Sequence, residues 1–260
     1  MGTRESLEYA KNEAAIGNRA LVELGLATGI RISLGHTSMR VPDDPNRFVV
    51  KGRGYRVDAI SRIRPEDMVV CDLDGNWVDG PAYSSQCSEV KIHSCIYKAR
   101  PDVVSVTHVH PDYAVLISVF QKSLVPMAPE GIALVLKPIP VFPQTKIISS
   151  DEEGTAVAQM LGNGDAMLLL GHGAITASTS SVERSVLSMA TLEHQARLNF
   201  LAMSAGGMDH PSIPTDLARA AGQPTVEWPP HLAARRDEIP LGPSEGGIWA
   251  DLRQIVTGSW

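Results

Sequence analysis

The chain has 260 residues, with 23 Lys and Arg against 29 Asp and Glu, a formal net charge of −6, and 43% hydrophobic residues. An acidic balance of that size excludes a broad nucleic-acid footprint, which needs clustered basic residues. Three cysteines, Cys71, Cys87 and Cys95, make no disulfide framework, and no run approaches the roughly 20 apolar residues of a membrane span. The first residues lack the apolar core of a signal peptide, and the match of Met1-Gly2 with Ser6 to a myristoylation pattern is read as chance. A soluble, cytoplasmic protein is expected, with no membrane and no nucleic-acid partner.

From Glu5 to Ala27 apolar residues recur at helical spacing, and Gly29 supplies a stop. The stretch from Arg31 to Val41 and the run RFVVKG read as strands separated by a turn over Pro42 to Asn46. Met68 to Leu73 and Asn76 to Val78 flank Asp74-Gly75, a hairpin signal. A helix is expected from about Gln86 to Ala99, stopped by Pro101, then a buried strand over Val103 to Val109 and a helix after Pro111. Strands are expected at Ile132 to Leu136, Ile139 to Phe142 and Ala166 to Leu170, and helices at Asp151 to Leu161 and Ser181 to Ala205. Strands interleaved with helices imply a layered α/β or α+β domain.

The segment from Met208 to Trp260 differs in composition, with 7 of the 18 prolines and three of the four tryptophans, Trp228, Trp249 and Trp260. A disordered tail is poor in such aromatics. The expected organisation is a domain over 1–207 followed by an arm over 208–260 that packs on the domain or on a neighbouring subunit.

The sharpest chemical signal is His108-Val109-His110 in an apolar strand. Residues two apart in a strand project on one face, so both imidazoles can converge on one ion. A third candidate is His172 in Leu170-Gly171-His172-Gly173, where glycines allow close backbone approach. Any one of these histidines alone reads as a satisfied buried ring. Three imidazoles with an open position are the pattern of a catalytic divalent metal, be it zinc, manganese, iron or cobalt. Glu89 and His93, four apart, are expected to share one helical face, and a carboxylate beside a cation can act as general acid or base. Cys87, Glu130 and His194 are secondary candidates.

Five stretches resemble the class II aldolase and adducin family: Gly35 to Arg40, Pro65 to Val69, Cys87-Ser88-Glu89 with His93, RPDVVSVTHVHP, and LLLGHGAIT. The resemblance implies a mixed, largely antiparallel β-sheet sandwiched between helices, a homotetramer with interfacial active sites, a metal on His108, His110 and His172, and Glu89 as acid/base. Where sugar-phosphate aldolases of the family cradle phosphate, this chain has Gly35-His36, Lys51-Gly52-Arg53-Gly54 and Cys87-Ser88. With VKGRGY, CDLDG and the Trp-containing tail, it looks more like the branch that decarboxylates hydroxylated aromatic acids such as dihydroxyphthalate. On that resemblance the substrate is a small molecule, with Lys51 or Arg53 gripping its carboxylate, Gly35 and Ser88 lining its site, and Glu89 or His36 handling the proton. Cleavage or epimerisation of a sugar phosphate is the alternative, and an adducin-like binding module without catalysis is a third.

Overall fold

A computed structural model describes residues 3–54, 58–222, 230–233 and 247–258. Helix α1 (Thr3–Glu23) leads through a 3-10 turn into β1 (His36–Val41) and β2 (Asp44–Gly54). Next come β3 (Met68–Asp72), β4 (Trp77–Asp79), β5 (Ser84–Gln86), α2 (Val90–Ala99) and β6 (Ser105–Val109). The chain continues through α3 (Asp112–Phe120), α4 (Ile132–Val135), β7 (Val141–Phe142), α5 (Asp151–Leu161), β8 (Ala166–Leu169), β9 (Gly173–Ser178) and α6 (Val182–Gly206). The short α7 (Thr215–Ala221) and α8 (Pro230–Ala233) precede α9 (Gly247–Thr257).

The strands form one sheet in the order β4-β3-β2-β1-β6-β9-β8-β7, with β5 paired to β2. The neighbours are antiparallel except β7 and β8, which run parallel. Alternation explains why the sheet is covered on both faces. Val49, Val70 and Val109 enter a core with α1, α3, α6 and α9, whereas Phe48, Val50, Val69, Cys71 and Val106 enter a second core with α2 and α5. The mixed, largely antiparallel sheet between helices is therefore the expected fold, and none of the described helices is long and apolar enough to cross a membrane.

Three local readings need correction. Ile132 to Leu136 is helical, as α4, because a short apolar run fits a buried turn of helix as well as a strand. The β1–β2 connection is tighter than Pro42 to Asn46, since Val41 already pairs with Asp44. His110 follows the end of β6 rather than lying inside it.

Candidate metal and active site

The central strands β1 and β6 bring the site together. His36 and His108 are directly opposed in the ladder, so their side chains project from the same face, with ring centroids 5.4 Å apart. Gly35 makes that approach possible: its φ is +98°, and a Cβ there would lie 2.9 Å from the His108 carbonyl. Gly173 does the same from β9, where a Cβ would meet the rings of His110 at 2.9 Å and His108 at 3.2 Å. Gly35 is thus explained by packing.

Glu89, His108, His110 and His172 each offer a ligand atom within 4.8 Å of the others. His108 Nε2 stands 3.1 Å from His110 Nε2 and 3.2 Å from Glu89 Oε2, while His172 Nε2 is 3.4 Å from Glu89 Oε1. Glu89 precedes α2 as its N-cap residue rather than sharing a helical face with His93. The Ile148 N–H donates to its Oε1 at 3.2 Å.

These residues fit a divalent cation. His108 Nδ1 faces the Ala174 carbonyl at 2.9 Å, and a carbonyl can only accept, so Nδ1 carries the proton and Nε2 of the neutral ring is a lone pair. That lone pair faces a carboxylate oxygen, an arrangement of acceptor against acceptor that a metal ion or a proton between them relieves. Burial, reinforced by His108 and His172, holds His110 down at about 3, which leaves its ring neutral and available as a ligand. Burial alone would raise the Glu89 carboxyl, but the neighbouring His108 and His172 imidazoles outweigh it and hold Glu89 well below the usual carboxylate range.

The other expected residues divide. Arg53 Nη1 donates to Ser88 Oγ at 2.7 Å; both are exposed, and Ser88 immediately precedes Glu89 in the chain. Lys51 is 3% exposed, and its Nζ bonds the Ser33 carbonyl at 2.8 Å and Asp58 Oδ1 at 2.9 Å. Its charge is met inside the fold, against the expectation of a carboxylate grip. Cys87 lies with His36 and His93, and burial pushes its thiol up, away from the thiolate form. Glu130 and His194 join neither group of converging ligands among the described residues; the Glu130 carbonyl accepts from Gln195. Sequence reasoning missed Ser38 and Tyr97, which continue the buried hydrogen bonds beyond His93; the i, i+4 spacing of His93 and Tyr97 was the available signal.

Residues 12–200 match the family described as class II aldolase and adducin N-terminal domain. The chain is 30% identical over 207 residues to a 3,4-dihydroxyphthalate decarboxylase of Arthrobacter keyseri, covering 76% of this chain and 80% of that one. A Streptomyces roseochromogenus protein described as 4-hydroxy-3-prenylphenylpyruvate oxygenase/4-hydroxy-3-prenylbenzoate synthase is 29% identical over 84% of this chain and 76% of its own. Among solved structures, an L-fuculose 1-phosphate aldolase from Glaciozyma antarctica superposes with a TM-score of 0.75 at 22% identity, covering all of this chain and 93% of its own. The chain belongs to the class II aldolase and adducin family.

Proposed function

We propose that this protein is a divalent-metal-dependent carbon-carbon lyase that decarboxylates a hydroxylated aromatic acid of the dihydroxyphthalate type. The observation that carries the reading is the convergence of Glu89 with His108, His110 and His172. The relatives named as decarboxylases support it.

His108, His110 and His172 would hold the cation, with Glu89 against them. Bound there, it would supply positive charge to adjacent oxygens of the substrate and draw electron density as the carbon-carbon bond breaks. Arg53 presents a fork suited to a carboxylate, and its bond to Ser88, the residue before Glu89, supports that role. The carbon that loses carbon dioxide must take up one proton. Glu89, whose carboxylate lies against these histidines, would accept a proton from the substrate's phenol and return it to that carbon. The residues of the arm over 208–260 and a tetramer with shared active sites belong to the same proposal.

The test is carbon dioxide release by metal-loaded protein from a panel of ortho-hydroxylated aromatic acids, run beside cleavage of ketose 1-phosphates. Chelator-sensitive release is expected. Ketose cleavage without release would replace the decarboxylase reading with an aldolase.

A further inference from the structure

A chain of buried hydrogen bonds leads away from His36 into the core. His36 Nδ1 is 2.7 Å from His93 Nε2, His93 Nδ1 is 2.7 Å from Ser38 Oγ, and Ser38 Oγ is 2.7 Å from the Tyr97 hydroxyl. All four side chains are at most 5% exposed. Their protons can be placed by asking what each donor can reach. The Tyr97 O–H has two acceptors, Ser38 Oγ at 2.7 Å and the Val104 carbonyl at 3.4 Å. The latter already accepts the Arg40 N–H at 2.8 Å. Tyr97 therefore donates to Ser38. The Ser38 hydroxyl then has His93 Nδ1 at 2.7 Å against the Val106 carbonyl at 3.4 Å, and it donates to His93. His93 must carry its own proton on Nε2 and donate it to His36 Nδ1. A neutral His36 is left protonated on Nε2, the nitrogen on the side of the ring away from His93.

We infer that His36 is a hydrogen-bond donor to an anionic oxygen of the substrate, fixed as the Nε2–H tautomer by Tyr97, Ser38 and His93, and that it is not the proton source. This rests on the proposed decarboxylation for its substrate and deepens it by dividing the labour between His36 and Glu89. A neutral imidazole that gave up its proton would become an imidazolate, and the chain behind it ends on a tyrosine with no outlet to water. What remains is a preorganised donor, the kind of group that stabilises charge on a substrate oxygen without moving a proton. Tyr97, Ser38 and His93 are positioning residues: they act through His36.

The same cluster, His36, Cys87 and His93, has its ligand atoms within 4.8 Å and so competes as a second metal site. Both nitrogens of His93 already have partners at 2.7 Å, which favours the hydrogen-bonded reading.

The experiment is a long-range proton-nitrogen NMR spectrum of zinc-loaded protein labelled with nitrogen-15 histidine, with His36 signals identified by their loss in His36→Gln. Protonated Nε2 and bare Nδ1 are expected at neutral pH. A protonated Nδ1, an imidazolium, or two zinc ions per chain would overturn the inference. In Tyr97→Phe, which conserves volume, Ser38 is free to turn onto Val106 and accept from His93, so a second set of His36 signals with protonated Nδ1 appears. An unchanged spectrum would refute the role of Tyr97. In turnover, Tyr97→Phe raises KM about tenfold, as for a weakened hydrogen bond to a charged group, with kcat within about threefold. A loss confined to kcat would show that the bond is not made to an anionic oxygen of the bound substrate, against the inference. Should the wild-type protein release no carbon dioxide, the decarboxylase reading fails while the tautomer spectrum still decides this one.

Discussion

At the residue scale, the acceptor-rich meeting of His108 Nε2 with Glu89 separates holding a metal from using it. His108→Ala removes a ligand whose tautomer is set by Ala174, so the purified protein should lose bound metal and turnover together. Glu89→Gln keeps size and an acceptor oxygen but no basicity, so metal content should persist while kcat falls by about a hundredfold or more. Elemental analysis beside the carbon dioxide assay checks both, and retained activity in the glutamine variant reassigns the proton-handling role. The buried histidines also set an acid limit. His93, by burial and then the nearby His108, and His110, by burial and its histidine neighbours, are each held near about 3, against about 6.5 in an unfolded chain. A depressed folded value stabilises above the unfolded value and is lost as pH falls through the window between 6.5 and 3, each group contributing a slope of up to about 1.4 kcal/mol per pH unit. Denaturant unfolding of metal-free protein at pH 7.5 and pH 5 should show that loss, and His93→Asn, which cannot titrate, should show less of it. Equal slopes in the two proteins would refute the assignment.

At the element scale, the site depends on where α2 starts and stops. Its C-terminal end is clamped by Arg40, whose guanidinium donates to the carbonyls of Tyr97 at 2.9 Å, Arg100 at 3.0 Å, Val103 at 2.9 Å and Pro45 at 2.6 Å. The guanidinium carbon also lies 4.7 Å from the centroid of the Tyr97 ring. A cation near the last carbonyls of a helix is favoured by their aligned dipoles. Arg40→Met strips four carbonyls of a donor and should cost about 3 kcal/mol or more of stability, read from equilibrium unfolding; a loss under about 1 kcal/mol would show that water replaces the fork. Arg40 was legible only as part of the motif from Gly35, because nothing in its local pattern announces a helix one strand away. The histidine pair at 108 and 110 was legible because the two-residue strand period is strict over so short a span. Glu89 and His93 were expected on one helical face, and the structure parts them. The helix begins one residue after Glu89, so the carboxylate turns to His108 and His172 and His93 turns to His36. Strand β9 went unread as a strand because Gly173 to Ser178 is mostly small-sided and buried throughout, with no alternation to detect.

At the scale of the whole molecule, the question is whether the C-terminal arm is an appendage or part of the core. Trp228 and Trp260 lie outside the described residues, but Trp249 is 3% exposed, and with Leu252 and Val256 it joins the same buried cluster as Ala10, Ala14 and Val182. Arg253 adds bonds at 2.8 Å to both carboxylate oxygens of Glu13, which ties α9 to α1. Because α1 also packs behind β1, the arm buttresses the strand that carries His36 from the side opposite the candidate metal ligands. Trp249→Ala should therefore cost about 3 to 5 kcal/mol, as for a large aromatic removed from a packed core. Arg253→Ala, by contrast, breaks a partly exposed pair and should cost about 1 kcal/mol or less. Both follow from thermal or denaturant unfolding followed by the near-ultraviolet signal. Metal content per folded chain should be unchanged in either, since neither residue reaches the ligands; a Trp249→Ala protein as stable as the wild type would show that the arm packs elsewhere in solution, with a neighbouring subunit as the remaining host for its apolar face.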